Sequence, residues 1–134
     1  MELFIRVENG QLKDHPIIKE NLLQAYPDLD FNLLPEWLLP FQRIEAPILG
    51  PYEKNLRCVY EIVNGVAKDV WYADQMTAEE KLDKQNAVKN TWANTGFASW
   101  TFDENLCDFV PPIPYPSDNN NYSWNENEQT WVPV

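Results

Sequence analysis

His15 is the only histidine of the chain, set between Asp14 and Pro16, and it is the first residue to test for acid–base or metal chemistry. A metal site needs three or four ligands at close, paired spacings. One histidine with two distant cysteines, Cys58 and Cys107, does not meet that need, so no metal and no cofactor is expected. The carboxylate pairs Glu79-Glu80 and Asp103-Glu104 could divide general acid and general base work if they were buried. Both fall where a helix start or a turn is expected, in solvent. Gly50 before Pro51 is a single glycine rather than a phosphate-binding loop, and no serine sits in a nucleophile elbow. The chain therefore reads as non-enzymatic, with His15 as part of a helix entrance.

Composition narrows the function classes further. With 134 residues, 44% of them hydrophobic, the chain can bury one sizeable core. Its net charge of −11 and pI near 4.3 oppose phosphate backbones and anionic headgroups, which argues against nucleic acid and membrane surfaces as partners. No Lys or Arg follows Lys89, whereas Asp103, Glu104, Asp108, Asp118, Glu126 and Glu128 do. Two readings of that asymmetry stand: acids that keep an aromatic tail soluble, or an acidic face made for a basic partner. Two cysteines suit a protein folded in a reducing cytoplasm, with one bridge left open. The start Met1-Glu2-Leu3-Phe4-Ile5-Arg6 does not read as a signal peptide, and no apolar run reaches a membrane span, the best of them being cut by Pro35 and Pro40.

The elements that position these residues begin with a strand over Leu3 to Val7 entering a hairpin at Asn9-Gly10. A short helix is expected from Ile17 to about Tyr26, opened by His15-Pro16 and stopped by Pro27. Between Asp28 and Pro51 five prolines or glycines interrupt an apolar supply, which reads as an irregular wrap with one short helix near Pro35 to Leu39. Cys58, Tyr60 and Ile62 alternate with Val59, Glu61 and Val63 up to Asn64-Gly65, with a return strand carrying Val66 to Tyr72. Thr77-Ala78-Glu79-Glu80 is a capping box, followed by the stripe Leu82, Gln85, Val88 and Trp92, with Glu80 and Lys84 as an exposed pair; Gly96 ends that helix.

The last third repeats itself at an interval of 22 residues. Trp100-Thr101-Phe102-Asp103-Glu104-Asn105-Leu106-Cys107-Asp108-Phe109-Val110-Pro111 aligns with Tyr122-Ser123-Trp124-Asn125-Glu126-Asn127-Glu128-Gln129-Thr130-Trp131-Val132-Pro133. Each copy is an aromatic strand, a polar turn and a second aromatic strand. Between them Val110-Pro111-Pro112-Ile113-Pro114-Tyr115-Pro116 favours an extended polyproline conformation, either a spacer packed between the hairpins or a docking ligand for an aromatic groove. The fold class expected is α+β: a small antiparallel sheet from the two Asn-Gly hairpins with the capped amphipathic helix in a body of residues 1–96, and paired aromatic β-hairpins in a tail of residues 97–134. Hairpins of that size are marginal alone, so Trp100, Phe102, Phe109, Tyr115, Tyr122, Trp124 and Trp131 are the residues expected to bind a partner.

The order Asp14-His15-Pro16-Ile17, Gly50-Pro51-Tyr52-Glu53, Asn64-Gly65, Met76-Thr77-Ala78-Glu79-Glu80-Lys81 with Lys84-Gln85, Ser99-Trp100-Thr101, Pro112-Ile113-Pro114-Tyr115-Pro116 and Tyr122-Ser123-Trp124-Asn125-Glu126 resembles small proteins encoded among the structural genes of tailed marine phages, especially those infecting cyanobacteria. The resemblance covers most of the chain, and the aromatic hairpin tail is its most specific part. It implies a virion structural protein, tail-associated, made in the host cytoplasm and touching other phage structural proteins such as tail or fibre components, with self-association open. It carries over no catalytic residue. The Met-Thr-x-Glu-Glu stretch is also similar to tail-fibre assembly factors, and a small phage protein that binds and modulates a host protein is a third reading.

Overall fold

The computed structural model describes all residues, 1–134, and the chain divides into two compact units. The first holds residues 1–48 and 55–73; the second holds 49–54 and 74–134. The fold is α+β, with two helices, a five-stranded curled sheet and two small two-stranded sheets.

β1 (Leu3–Glu8), β2 (Gln11–Ile18), β3 (Leu38–Gln42), β4 (Glu53–Val63) and β5 (Val66–Gln75) form one sheet in the order β2-β1-β3-β5-β4, which belongs to the first unit except for residues 53–54 and 74–75. Glu8 faces Gln11 across Asn9 and Gly10, whose φ values of 53° and 76° are those a two-residue turn between twisted strands requires. Asn64 and Gly65, between β4 and β5, have φ of 54° and 79°. β1, paired with β2 and β3, buries a side chain on each of its faces. Phe4 packs with Leu22 and Leu38 on one side, while Ile5 packs with Phe41 and Ala67 on the other.

Three local expectations are corrected. The segment from Pro35 to Leu39 is not helical; its end joins β3, which lies antiparallel to β1 and parallel to β5. The sheet is therefore mixed rather than wholly antiparallel. Pro40 sits inside that strand opposite Phe4, and the pairing with β5 is recorded only beyond it, at Phe41↔Ala67 and Gln42↔Lys68, as the missing proline N–H favours. His15 and Pro16 do not open a helix either. They lie in β2, between Lys13 and Ile17, where the register slips: Arg6 faces Lys13 and Phe4 faces Ile17, so three residues of β2 oppose Ile5 alone. Asp14 has φ of 59° there, which marks a bulge. The helix α1 is shorter than expected, Lys19–Ala25, and buries Leu22.

In the second unit α2 (Ala78–Ala93) begins as its sequence requires. Thr77 Oγ1 accepts from Glu80 N at 3.1 Å, and Glu80 Oε1 accepts from Thr77 N at 3.0 Å. Glu80 does not pair with Lys84, however; it receives Lys54 Nζ at 2.6 Å, and Lys84 donates to the Pro51 carbonyl. Only Gln85 of the expected stripe is fully buried, and Leu82 is 56% exposed.

Candidate functional site

The tail forms two hairpins, β6 (Thr101–Asp103) with β7 (Asp108–Val110) and β8 (Tyr122–Asn125) with β9 (Thr130–Pro133). Their registers superpose at the interval read in the sequence: Phe102 faces Phe109, and Trp124 faces Trp131. Ring centroids are 5.3 Å apart in the first pair and 5.1 Å in the second, at interplanar angles of 68° and 71°, the edge-to-face arrangement that aromatic quadrupoles favour. Turn chemistry is duplicated as well. Asp103 Oδ1 accepts from Leu106 N, and Asn125 Oδ1 from Glu128 N. Each four-residue turn ends in a left-handed residue, Cys107 and Gln129, just before the return strand.

The residues expected to meet a partner first meet each other. Trp100 lies 4.8 Å from Trp92 of α2, 5.7 Å from Trp124 and 5.8 Å from Trp131, centroid to centroid. Trp92 also stacks on Phe109 at 4.9 Å and 6°. Trp124 is buried, and Trp100, Phe102, Phe109, Tyr122 and Trp131 are half-buried; Tyr115 is exposed at its rim. These side chains thus form the apolar core of the second unit. The Trp100 indole N–H is buried there with no hydrogen-bond partner, among rings that accept only weakly.

The proline stretch lies along the second hairpin. Trp131 Nε1 donates to the Ile113 carbonyl at 2.8 Å, and Tyr115 packs on Trp131 at 4.9 Å and on Tyr122 at 5.9 Å. Tyr122 N donates to the Tyr115 hydroxyl, and Tyr122 Oη donates to Asp118 Oδ2 at 2.5 Å. That bond lowers the Asp118 carboxyl below its usual range and raises the Tyr122 phenol.

Acids of the tail are used inside it. Glu126 accepts from Ser99 Oγ at 2.7 Å, Ser99 N at 3.0 Å and Trp124 Nε1 at 3.0 Å. Ser99 first and then Trp124 hold its carboxyl below the usual value. Glu104, its counterpart in the first hairpin, accepts from Gln85 Nε2 at 3.4 Å, and its carbonyl accepts from the Tyr52 hydroxyl. The sequence pattern did not show these bonds of Tyr52, Gln85, Ser99 and Glu126. The repeat itself was the available signal, because both hairpins carry Glu at the first turn position.

In the first unit a separate group surrounds Asp69, whose side chain is fully buried. It accepts from Arg43 Nη1 at 3.0 Å, Ile44 N at 2.9 Å and Cys58 Sγ at 3.3 Å. Burial, with Asp69 beside it, pushes the Cys58 thiol up, which keeps it protonated and a poor nucleophile. Cys58 and Cys107 are both free thiols.

Compared with protein-family models, curated proteins and solved structures, the chain matches none. No helix is long and apolar enough to cross a membrane.

Proposed function

We propose that the chain is a non-enzymatic structural protein of a phage particle, tail-associated, that docks on a larger assembly through its acidic aromatic region. In this reading the two Asn-Gly turns close the hairpins that frame the first unit, while residues 97–134 supply the docking surface. The observation that carries it is the doubled hairpin: a cross-strand aromatic pair, a four-residue turn and a left-handed turn end built twice at a fixed interval. Repetition of that kind makes a presented surface of set geometry. Since Trp124 is consumed by the internal packing, contact with a partner falls to the apolar groups left outside, Leu106 at 56%, Ile113 at 45% and Tyr115 at 49% exposure.

Mass spectrometry of purified particles tests the location. Retention in the particle supports the structural role; presence during assembly alone favours an assembly factor. The surface is tested with Leu106→Ser combined with Ile113→Ser, both exposed and so expected to change stability little. The double variant should fold normally and enter particles at a reduced level, and incorporation at the normal level would remove the docking surface. A net charge of −11 adds that association with a basic partner should slow as salt rises.

A further inference from the structure

The turns that close the two hairpins of the large sheet carry the same dipeptide. Asn9-Gly10 joins β1 to β2 and Asn64-Gly65 joins β4 to β5, and no other asparagine of the chain precedes a glycine. All four residues are exposed, and a β-carbon added to either glycine would meet nothing within 4 Å. Neither glycine nitrogen is crowded by a side chain.

That pairing has a chemistry of its own. When the glycine amide loses its proton to a solvent base, its nitrogen is able to attack the asparagine Cγ; a C–N bond forms, the Cγ–Nδ2 bond breaks, and the carboxamide nitrogen leaves as ammonia with a proton returned by solvent. Water then opens the succinimide ring at one carbonyl or the other, to aspartate or isoaspartate. One water is consumed and one ammonia released, so no further reactant is needed. A side chain on the following residue hinders the attack, and Asn55, followed by Leu56, is the contrasting case.

Conformation decides when the reaction runs. Ring closure needs the glycine nitrogen on the Cβ side of the asparagine Cα–C bond, approaching the roughly 3–3.5 Å at which bound atoms react. Asn9 and Asn64, with φ of 53° and 54°, lie in the left-handed region, where ψ is about +47° and the following nitrogen falls on the side opposite Cβ. The closed turn holds the two reacting atoms apart. The hairpins are not equally secure, however. Between Gly10 and the bulge at Asp14 lie only the pairs Glu8↔Gln11, Val7↔Leu12 and Arg6↔Lys13, the last setting two cations directly opposite each other. The second hairpin has no left-handed residue from Leu56 to Val63 or along β5.

We propose that Asn9 and Asn64 are self-modification sites gated by their own hairpins, unreactive while the turn is closed and converted to aspartate and isoaspartate when it opens, Asn9 first. Isoaspartate carries the chain through its side-chain carboxyl and lengthens the backbone by a methylene, which a two-residue turn of fixed register does not accommodate. Each event also adds a negative charge to a chain already at −11. The conversion is a one-way record of hairpin opening, and it is independent of docking by the tail.

The test is to incubate the full chain in mildly alkaline buffer, native in one arm and unfolded in urea in the other, and to follow each asparagine by peptide mass mapping with chromatographic separation of isoaspartate. In urea Asn9 and Asn64 should convert at similar rates, ahead of every other asparagine, Asn55 included. In the native chain both should slow at least about tenfold, because reaction waits on local opening, and Asn9 should precede Asn64. Native and urea rates that agree, Asn64 converting before Asn9 in the native chain, or another asparagine leading both in urea would overturn the proposal.

Discussion

Cys107 and Gln129, 22 residues apart, adopt the same left-handed backbone conformation, with φ of 51° and 49°. Neither is a glycine, so each turn holds a side chain where a β-carbon crowds the following carbonyl, at a cost of roughly 1–2 kcal/mol. The relationship shows that the repeat extends below side-chain type to backbone geometry. Replacing exposed Gln129 by Gly should raise stability by up to about 1 kcal/mol, while Gln129→Val should lower it by about as much. Urea unfolding measures both; a destabilised Gly variant would remove strain as the account of this turn.

Trp124 is the buried member of the second aromatic pair, 9% exposed. Trp124→Ala should cost about 3–5 kcal/mol, the range for removing a large aromatic from a packed core. Near-UV circular dichroism should lose much of its tryptophan signal with it, because Trp100 and Trp131 both lie against that ring. A loss below about 1 kcal/mol would mean that the hairpins are not held by this cluster.

The tail was the most legible part of the sequence, because hairpin geometry is set by local turn chemistry and an aromatic interval that survives any tertiary arrangement. The capping box at Thr77 was legible for the same reason. β3 was hidden, since Pro35 and Pro40 argue against a central strand and its parallel partner, β5, lies far along the chain. His15-Pro16 looked like a helix start because proline suits the first turn of a helix as well as an edge-strand bulge. The partner of Glu80 was illegible for another reason: Lys54, in β4, is 26 residues away, and no periodicity links a strand to a helix start. Of the candidate site, the aromatic residues could be read, but not that they would be spent on each other.

Glu126 fastens the turn of the second hairpin to Ser99, ahead of the first. Its carboxyl lies below the ordinary value of 4.5, so the stabilisation is present above that value and lost as pH falls through the depressed one. Glu126→Gln keeps the shape and removes the charge. The variant should melt lower than the unaltered chain near neutral pH, and the gap should narrow on acidification. A gap that stayed constant with pH would assign the effect to shape rather than to charge.

Glu80 provides the corresponding test at the start of α2. Lys54 first, and then the Thr77 N–H, hold its carboxyl down at about 2 against the usual 4.5. A lowered folded-state value means that ionised Glu80 stabilises the second unit above the unfolded value and stops doing so as pH falls through about 2. Both side chains of the Lys54–Glu80 pair are partly exposed, at 32% and 40%, so salt should weaken the contribution without removing it. Glu80→Gln retains an N3 side chain able to return to the Thr77 N–H, yet cannot pair with Lys54. Thermal unfolding followed from about pH 5 to about pH 2 should therefore show the unaltered chain losing more stability than the variant, the two curves converging at the acid end. If both curves fell in parallel, the acid sensitivity of the second unit would belong to other carboxylates, with Glu126 the next to examine.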